Sequence, residues 1–228
     1  MEMDRLNLGC GPNAPSSWLN LDGSWNAWLY NHGGIRWALA TLGVINRDQG
    51  SQWSVRPIIH DLRRPLPFRE DTLSAVYASH ILEHLYLVDA RRLLTECRRV
   101  LKPNGVIRII VPDLRFMVTE YLAKKNDSGR ALSEKIRAAD YLNERLAFRK
   151  PAPPGGNLLL RFYETWKDLH SHYWMYDSDS LACYVEQAGF AEVAEKGFLQ
   201  SAIQGIKEVE DPERILGGAG ICIEAKKP

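Results

Sequence analysis

Residues 5–22 read Arg5-Leu6-Asn7-Leu8-Gly9-Cys10-Gly11-Pro12-Asn13-Ala14-Pro15-Ser16-Ser17-Trp18-Leu19-Asn20-Leu21-Asp22. Leu6 and Leu8 alternate with polar neighbours and then meet Gly9 and Gly11, the pattern of a strand ending in a loop where bare backbone can approach a ligand. Trp18, Leu19 and Leu21 form a second short apolar segment that runs into Asp22, which leaves a carboxylate at a strand's carboxyl end. In an open parallel sheet the loops at the carboxyl ends of neighbouring strands line one crevice. There Gly9 and Gly11 offer backbone amides, and Asp22 can accept two hydroxyl hydrogen bonds from a ribose. The same glycines also suit an ordinary turn, so the loop alone leaves both readings open.

The run Gly9-Cys10-Gly11-Pro12-Asn13-Ala14 formally fits a dinucleotide fingerprint. That fingerprint needs a full helix after the glycines to aim its N-terminus at a pyrophosphate, with the acid about 20 residues further on. Pro12 and Pro15 interrupt such a helix, and Asp22 arrives too early for it. A ligand with a ribose and no phosphates fits better, and S-adenosylmethionine is one. Leu-Asn-Leu-Gly-Cys-Gly followed by Trp-Leu-Asn-Leu-Asp resembles the first two motifs of the class I S-adenosylmethionine-dependent methyltransferases, close to the type 11-like bacterial branch with a shortened first helix. The resemblance implies cofactor contacts from Asn7, Gly9, Cys10, Gly11 and Asp22.

With 228 residues the chain is long enough for one well-buried α/β domain and short for two. A net charge of +1 lacks the electrostatic footprint of a nucleic-acid binder, so no nucleic-acid partner is expected. Cys10, Cys97, Cys183 and Cys222 show no paired spacing, which suggests free thiols in a reducing compartment. No leader-like start and no run of about 18 apolar residues is present, so the expectation is a cytoplasmic protein without a membrane span. Nothing in the sequence sets the oligomeric state.

Residues 24–54 hold Trp25, Trp28, Tyr30, Trp37 and Trp53 among several glycines. This aromatic-rich insertion suits a satellite core, a lid over the crevice or a partner contact, with a short helix over 35–42. Residues 55–59 predict a third strand ending at His60-Asp61-Leu62, and residues 73–79 a fourth. This span again resembles the methyltransferases, which implies that Asp61 accepts from the adenine amine and Leu62 lies against the base.

His80-Ile81-Leu82-Glu83-His84 matches the H-x-x-E-H zinc signature. On a helix, His80 and His84 would share one face beside Glu83, which supports a zinc-dependent hydrolase as an alternative function. No third ligand is evident at helical spacing, and class I methyltransferases commonly carry a similar run after the fourth strand. The resemblance implies that Ser79 and His80 line the methionine end of the cofactor and that His84 faces the acceptor. His84 then suits a general base, or equally a histidine bonding a backbone carbonyl.

Leu93, Leu94, Cys97, Val100 and Leu101 form a helical stripe, stopped by Lys102-Pro103-Asn104-Gly105 before a fifth strand over 106–111. Asp113 follows as a candidate acceptor contact or helix cap. Residues 114–171 read as a helical acceptor-side insertion, with one apolar face on Leu114, Met117, Val118, Tyr121 and Leu122, a second from Leu132 to Leu146, and a Pro/Gly linker over 151–156. His172 is a second candidate for proton removal, and His170 with His172 would make a paired-histidine metal site. A helix capped near Asp177 and stopped by Gly189 precedes strands over 193–199 and 220–225.

The reading is one α/β domain over residues 1–228, a Rossmann-like seven-stranded and mostly parallel sheet with an antiparallel last strand, helices on both faces and an insertion after strand five. Its expected activity is transfer of the methyl of S-adenosylmethionine, releasing S-adenosylhomocysteine, to an oxygen of a small metabolite or saccharide, a chemistry that needs no metal. A non-catalytic cofactor-binding partner protein is the remaining alternative.

Overall fold

The computed structural model describes residues 3–126, 132–147 and 171–228. Seven strands form one sheet: β1 (Arg5–Leu8), β2 (Leu19–Asp22), β3 (Ile58–Ile59), β4 (Leu73–Ser79), β5 (Leu101–Val111), β6 (Ala191–Glu195) and β7 (Ile221–Lys226). Their order is β3-β2-β1-β4-β5-β7-β6. The first five run parallel, and β7 is antiparallel to both β5 and β6. The chain steps outward from β1 to β3 and then returns to β1's other side with β4. That reversal opens a crevice at the carboxyl ends of β1 and β4.

Between β1 and β2 no helix forms, in keeping with Pro12 and Pro15. Trp18 covers that part of the sheet instead, 2% exposed and edge-on to Tyr77 at 6.3 Å between ring centroids. With Ile203, Ile206, Ile215 and Cys222 it fills one face of the sheet. The cover on this face is a run of short 3-10 turns, Ile206–Glu208, Pro212–Arg214 and Leu216–Gly218. The other face is buried by α3 (Leu87–Val100), through Ala90, Leu93, Leu94, Cys97 and Val100, and by α6 (Ser178–Gln187), through Leu181 and Val185. Asp177 caps α6 in a reciprocal capping box with Ser180.

The expected helix over 35–42 is α2 (Gly33–Thr41), but α1 (Trp25–Asn31) precedes it unannounced, held by the Ser24 hydroxyl, which accepts from the Ala27 amide at 3.2 Å. Seven residues are too few to display a helical period. α2 buries none of its side chains, and Trp37 is 71% exposed. The third strand shrinks from 55–59 to two residues, because Pro57 offers no amide to the ladder. Leu101 opens β5 instead of closing α3, and the turn inside β5 puts Asn104 at φ +64°. The strand read over 193–199 lies at Ala191–Glu195.

β5 is followed by α4 (Leu114–Asn126) and α5 (Leu132–Leu146), joined by the Tyr141 hydroxyl, which donates to Glu120 and accepts from Arg145. On α4 only Met117 is buried, while Val118 and Leu122 of the expected apolar face stay exposed. The 151–156 linker and His170 lie outside the described residues.

Arg108, midway along β5, is fully buried. It meets Glu210 at 2.6 Å and Glu224 of β7 at 3.2 Å, and donates to the carbonyls of Gln200 and Gly197. Glu224 also accepts from Ser201 and the Ala202 amide, and Glu210 from the Leu199 amide. The charge cluster thereby ties the irregular 197–210 segment to the sheet.

Candidate functional site

The loop after β1 has Gly9 at φ +58° and Gly11 at φ +63°, the left-handed region in which a side chain is strained. The two glycines face different surroundings. A Cβ at Gly9 would lie 1.9 Å from Ile81 Cδ1, whereas one at Gly11 would meet nothing within 4 Å. Gly9 is therefore set by packing, and Gly11 fronts open space. Between them the Cys10 amide bonds the Leu21 carbonyl at 3.0 Å, and burial, helped by the Asp22 charge, pushes the Cys10 thiol up to about 12.

Asp22 ends β2 at 7% exposure. One carboxylate oxygen accepts the Gly11 amide at 3.1 Å and the other the Ser24 amide at 2.8 Å. The acid thus fixes the glycine loop to the start of α1 and keeps spare lone pairs on both oxygens. Asn7 is committed elsewhere: its amide donates to Asn20 at 3.1 Å on the neighbouring strand, and Asn20 in turn bonds the carbonyls of Pro15 and Trp18.

Asp61 follows β3 by two positions and is clasped by Arg63 through Nε and Nη2, each at 2.9 Å, and through the Arg63 amide. Arg63 holds its carboxyl below the usual carboxylate range. Leu62 packs against the main core beside it. Ser79 closes β4, and its carbonyl accepts from Arg214 at 3.1 Å. Arg214 carries no motif in the sequence, and a lone arginine in a polar loop gave no signal of its arrival here.

His80 takes φ +55°, so the zinc-signature run leaves β4 through a left-handed residue and turns as a 3-10 segment, Leu82–His84. The single helical face expected for His80 and His84 does not form. Both rings meet Glu83 instead: His80 Nδ1 lies 3.2 Å and His84 Nε2 4.0 Å from its Oε1. Glu83 is 0% exposed, and neither carboxylate oxygen has a well-directed hydrogen bond.

The segment after residue 170 completes this corner. The Tyr173 amide donates to the Glu83 carbonyl at 2.7 Å, and the His172 amide to the Ala147 carbonyl at 2.9 Å. The His172 ring then packs edge-on to His84 with centroids 5.0 Å apart. Burial holds the His172 imidazole below its ordinary value of 6.5, against the opposing pull of Glu83 and with help from the His84 and His80 rings. Tyr86 and Tyr173 meet at a tilt of 43° with centroids 4.6 Å apart and, with Trp174, stay substantially exposed next to these histidines. Asp113 serves as a cap, accepting the Phe116 amide at 3.2 Å.

A parallel sheet with an antiparallel seventh strand inserted beside the fifth, bearing a glycine loop and a strand-end acid at its switch point, is the class I methyltransferase architecture. Residues 6–109 match the family model of the methyltransferase domain. The match spans β1 to β5 and, with the order of the sheet, makes the chain similar to the S-adenosylmethionine-dependent methyltransferases, whose cofactor is S-adenosylmethionine. No curated protein sequence matches it. Among solved structures it resembles an S-adenosylmethionine-dependent methyltransferase of Thermotoga maritima, described as a possible histamine N-methyltransferase, at 16% identity and TM-score 0.49, over 100% of this chain and 84% of that one. An Archaeoglobus fulgidus S-adenosylmethionine-dependent methyltransferase is 18% identical over 98% of this chain and 85% of that one, with TM-score 0.46. A chain from the complex between the Haloferax volcanii Trm112 methyltransferase activator and a methyltransferase is 13% identical over 100% of this chain and 84% of that one, with TM-score 0.49.

Proposed function

We propose that the chain is an S-adenosylmethionine-dependent methyltransferase that acts on a hydroxyl of a small metabolite or saccharide in a reducing, cytoplasmic setting. The observation that carries the reading is the crevice corner: Asp22 beside the open Gly11 on one side, and His84 with His172 beyond the end of β4. In this reading Asp22 takes the ribose hydroxyls and Gly11 gives the close backbone. Asp61 takes the adenine amine while sharing its oxygens with Arg63, and Leu62 supports the ring. Cys10 contributes backbone, Asn7 braces the loop through Asn20, and Ser79 and His80 border the methionine end. Arg214, bonded to Ser79, supplies a cation for the methionine carboxylate.

The chemistry is an in-line displacement. A lone pair of the acceptor oxygen forms the new C–O bond, the C–S bond breaks with its electrons going to sulfur, and the hydroxyl proton leaves. Alignment of the reacting atoms at about 3 Å does most of the work. The proton leaves at the corner of Glu83, His84 and His172. The exposed Tyr86–Tyr173 pair and Trp174 offer aromatic surface that suits a sugar ring or other small cyclic acceptor. Four free thiols accord with the compartment. Among the described residues no helix is long and apolar enough to cross a membrane.

Asp22→Asn should weaken S-adenosylhomocysteine binding by about 1–3 kcal/mol, the scale of a lost hydrogen bond to a charged acceptor. Unchanged calorimetric affinity would remove the ribose role. The acceptor class is tested with methyl-labelled cofactor and cell extract: labelled products carrying only N- or C-methyl groups, read by mass spectrometry, would overturn the hydroxyl assignment.

A further inference from the structure

We infer that Glu83, His84 and His172 bind one first-row divalent transition-metal ion of the zinc type at the acceptor corner. One ligand atom from each lies within 4.8 Å of the others. The sequence reading placed a zinc set on His80, Glu83 and His84 and found no third helical ligand. The fold supplies one from the segment after residue 170 and moves His80 to a supporting place.

Each histidine is oriented as a metal ligand is. His84 Nδ1 faces the Ser171 carbonyl at 3.2 Å, so that nitrogen carries the proton and Nε2 presents its lone pair toward Glu83. The His172 Nδ1 is buried without a partner, and the His172 amide is tied to the Ala147 carbonyl at 2.9 Å. One imidazole anchored through a ring nitrogen and one held by its backbone thus stand against the same carboxylate. His80 Nδ1 lies 3.2 Å from the same Glu83 oxygen that His84 faces.

The carboxylate itself calls for a cation. Glu83 is 0% exposed, and no lysine or arginine pairs with it among the described residues. The Tyr176 hydroxyl, buried and also without a partner, feels the same negative charge. A buried carboxylate with no lysine or arginine beside it is costly, and a divalent ion satisfies it together with the imidazole nitrogens. Two nitrogens and one oxygen favour zinc, cobalt, manganese or iron(II) over magnesium or calcium, which prefer all-oxygen sets. Ligand bonds of about 2.0–2.2 Å imply ligand atoms roughly 3.4 Å apart, so binding draws the three groups together by about an ångström.

Ion binding stands on this geometry alone, whereas its role rests on the function proposed above. There the ion would take an acceptor hydroxyl in its open position and lower that hydroxyl's pKa, so that the proton passes to solvent before the oxygen attacks the methyl carbon. The same lone pairs cannot also act as free bases.

The test uses the full chain stripped with a chelator and titrated with Co2+, read by visible absorption, and with Zn2+, read by calorimetry. The expected result is one ion per chain. Glu83→Gln and His84→Ala should lose more than about a hundredfold in affinity, and His80→Ala only about tenfold, as for an outer partner. Glu83→Gln and His84→Ala should still bind S-adenosylhomocysteine. Failure of wild-type protein to take up either ion at micromolar concentration overturns the site, as does Glu83→Gln binding ions like wild type. Should Glu83→Gln lose its circular dichroism signal, the wild-type titration decides alone. Loss of S-adenosylhomocysteine binding in wild type would instead strike the methyl-transfer reading and leave the ion result standing.

Discussion

Two sets of buried carboxylates in this molecule are neutralised in opposite ways. Glu210 and Glu224 close on the buried Arg108 guanidinium, and backbone amides, a serine hydroxyl and two carbonyls take up the remaining donors and acceptors. Glu83, equally buried, meets only imidazoles, and its oxygens stay without directed hydrogen bonds. A fully paired cluster rigidifies a fold, whereas a half-satisfied one stores unmet bonding capacity at a fixed place. The first explains how an irregular segment is held to the sheet. The second marks where chemistry is to be done.

The sharpest test of that contrast is Arg108→Met, which strands two carboxylates in the core. It should cost about 3–5 kcal/mol in urea denaturation, the range for breaking a buried pair from one side. Glu83→Gln, which removes a charge that no lysine or arginine pairs with among the described residues, should change stability by no more than about 1 kcal/mol in the same assay. Equal losses in the two variants would erase the distinction between them.

Acid separates the two sets further. Burial works against the Arg108 charge, but Glu210 and Glu224 outweigh it and raise its pKa above the ordinary guanidinium value, so it stays a cation throughout the working range. His172 is displaced the other way, below 6.5. As pH falls through 6.5 the unfolded chain takes up this proton first and the folded chain only lower, so the His172 share of stability is present above 6.5 and is lost below it. The same neutral ring is required for turnover. The acid limb of kcat/KM should therefore fall below pH 6.5, and His172→Ala should abolish that limb while S-adenosylhomocysteine affinity is kept. An unchanged limb in the variant would detach His172 from the reaction. The smallest effect belongs to the surface: Trp37→Ser, at a 71% exposed position, should move stability by less than about 0.5 kcal/mol.

What could be read from the sequence was what repeats locally. The period-two strands β1 and β4, the stripe of α3, the turn at Asn104 and the cap at Asp177 each announce themselves within a dozen residues. So does the pairing of a glycine loop with a strand-end acid. The rest depends on segments far apart in the chain. Nothing in Asp211-Pro212-Glu213-Arg214 shows that its guanidinium will reach Ser79, or that Arg108 will find Glu210. The one-face arrangement that a helix would give the H-x-x-E-H run does not form, because His80 leaves β4 at a positive φ. Its missing partner, His172, lay beyond the acceptor-side insertion. α2 had the right length and composition and still found no core to enter.

The placement of β7 bears on how the molecule is made. It sits between β5 and β6, yet follows both in the sequence. During synthesis the outer edge of β5 therefore stays open while the ribosome adds everything up to residues 221–226. Glu224, the partner of Arg108, arrives only then. A nascent chain holding a ready, apolar strand edge for so long invites capture by chaperones or pairing with its neighbours. Slower translation ahead of residue 221 should reduce the yield of native protein, and an excess of free β7 peptide should compete for the vacant edge.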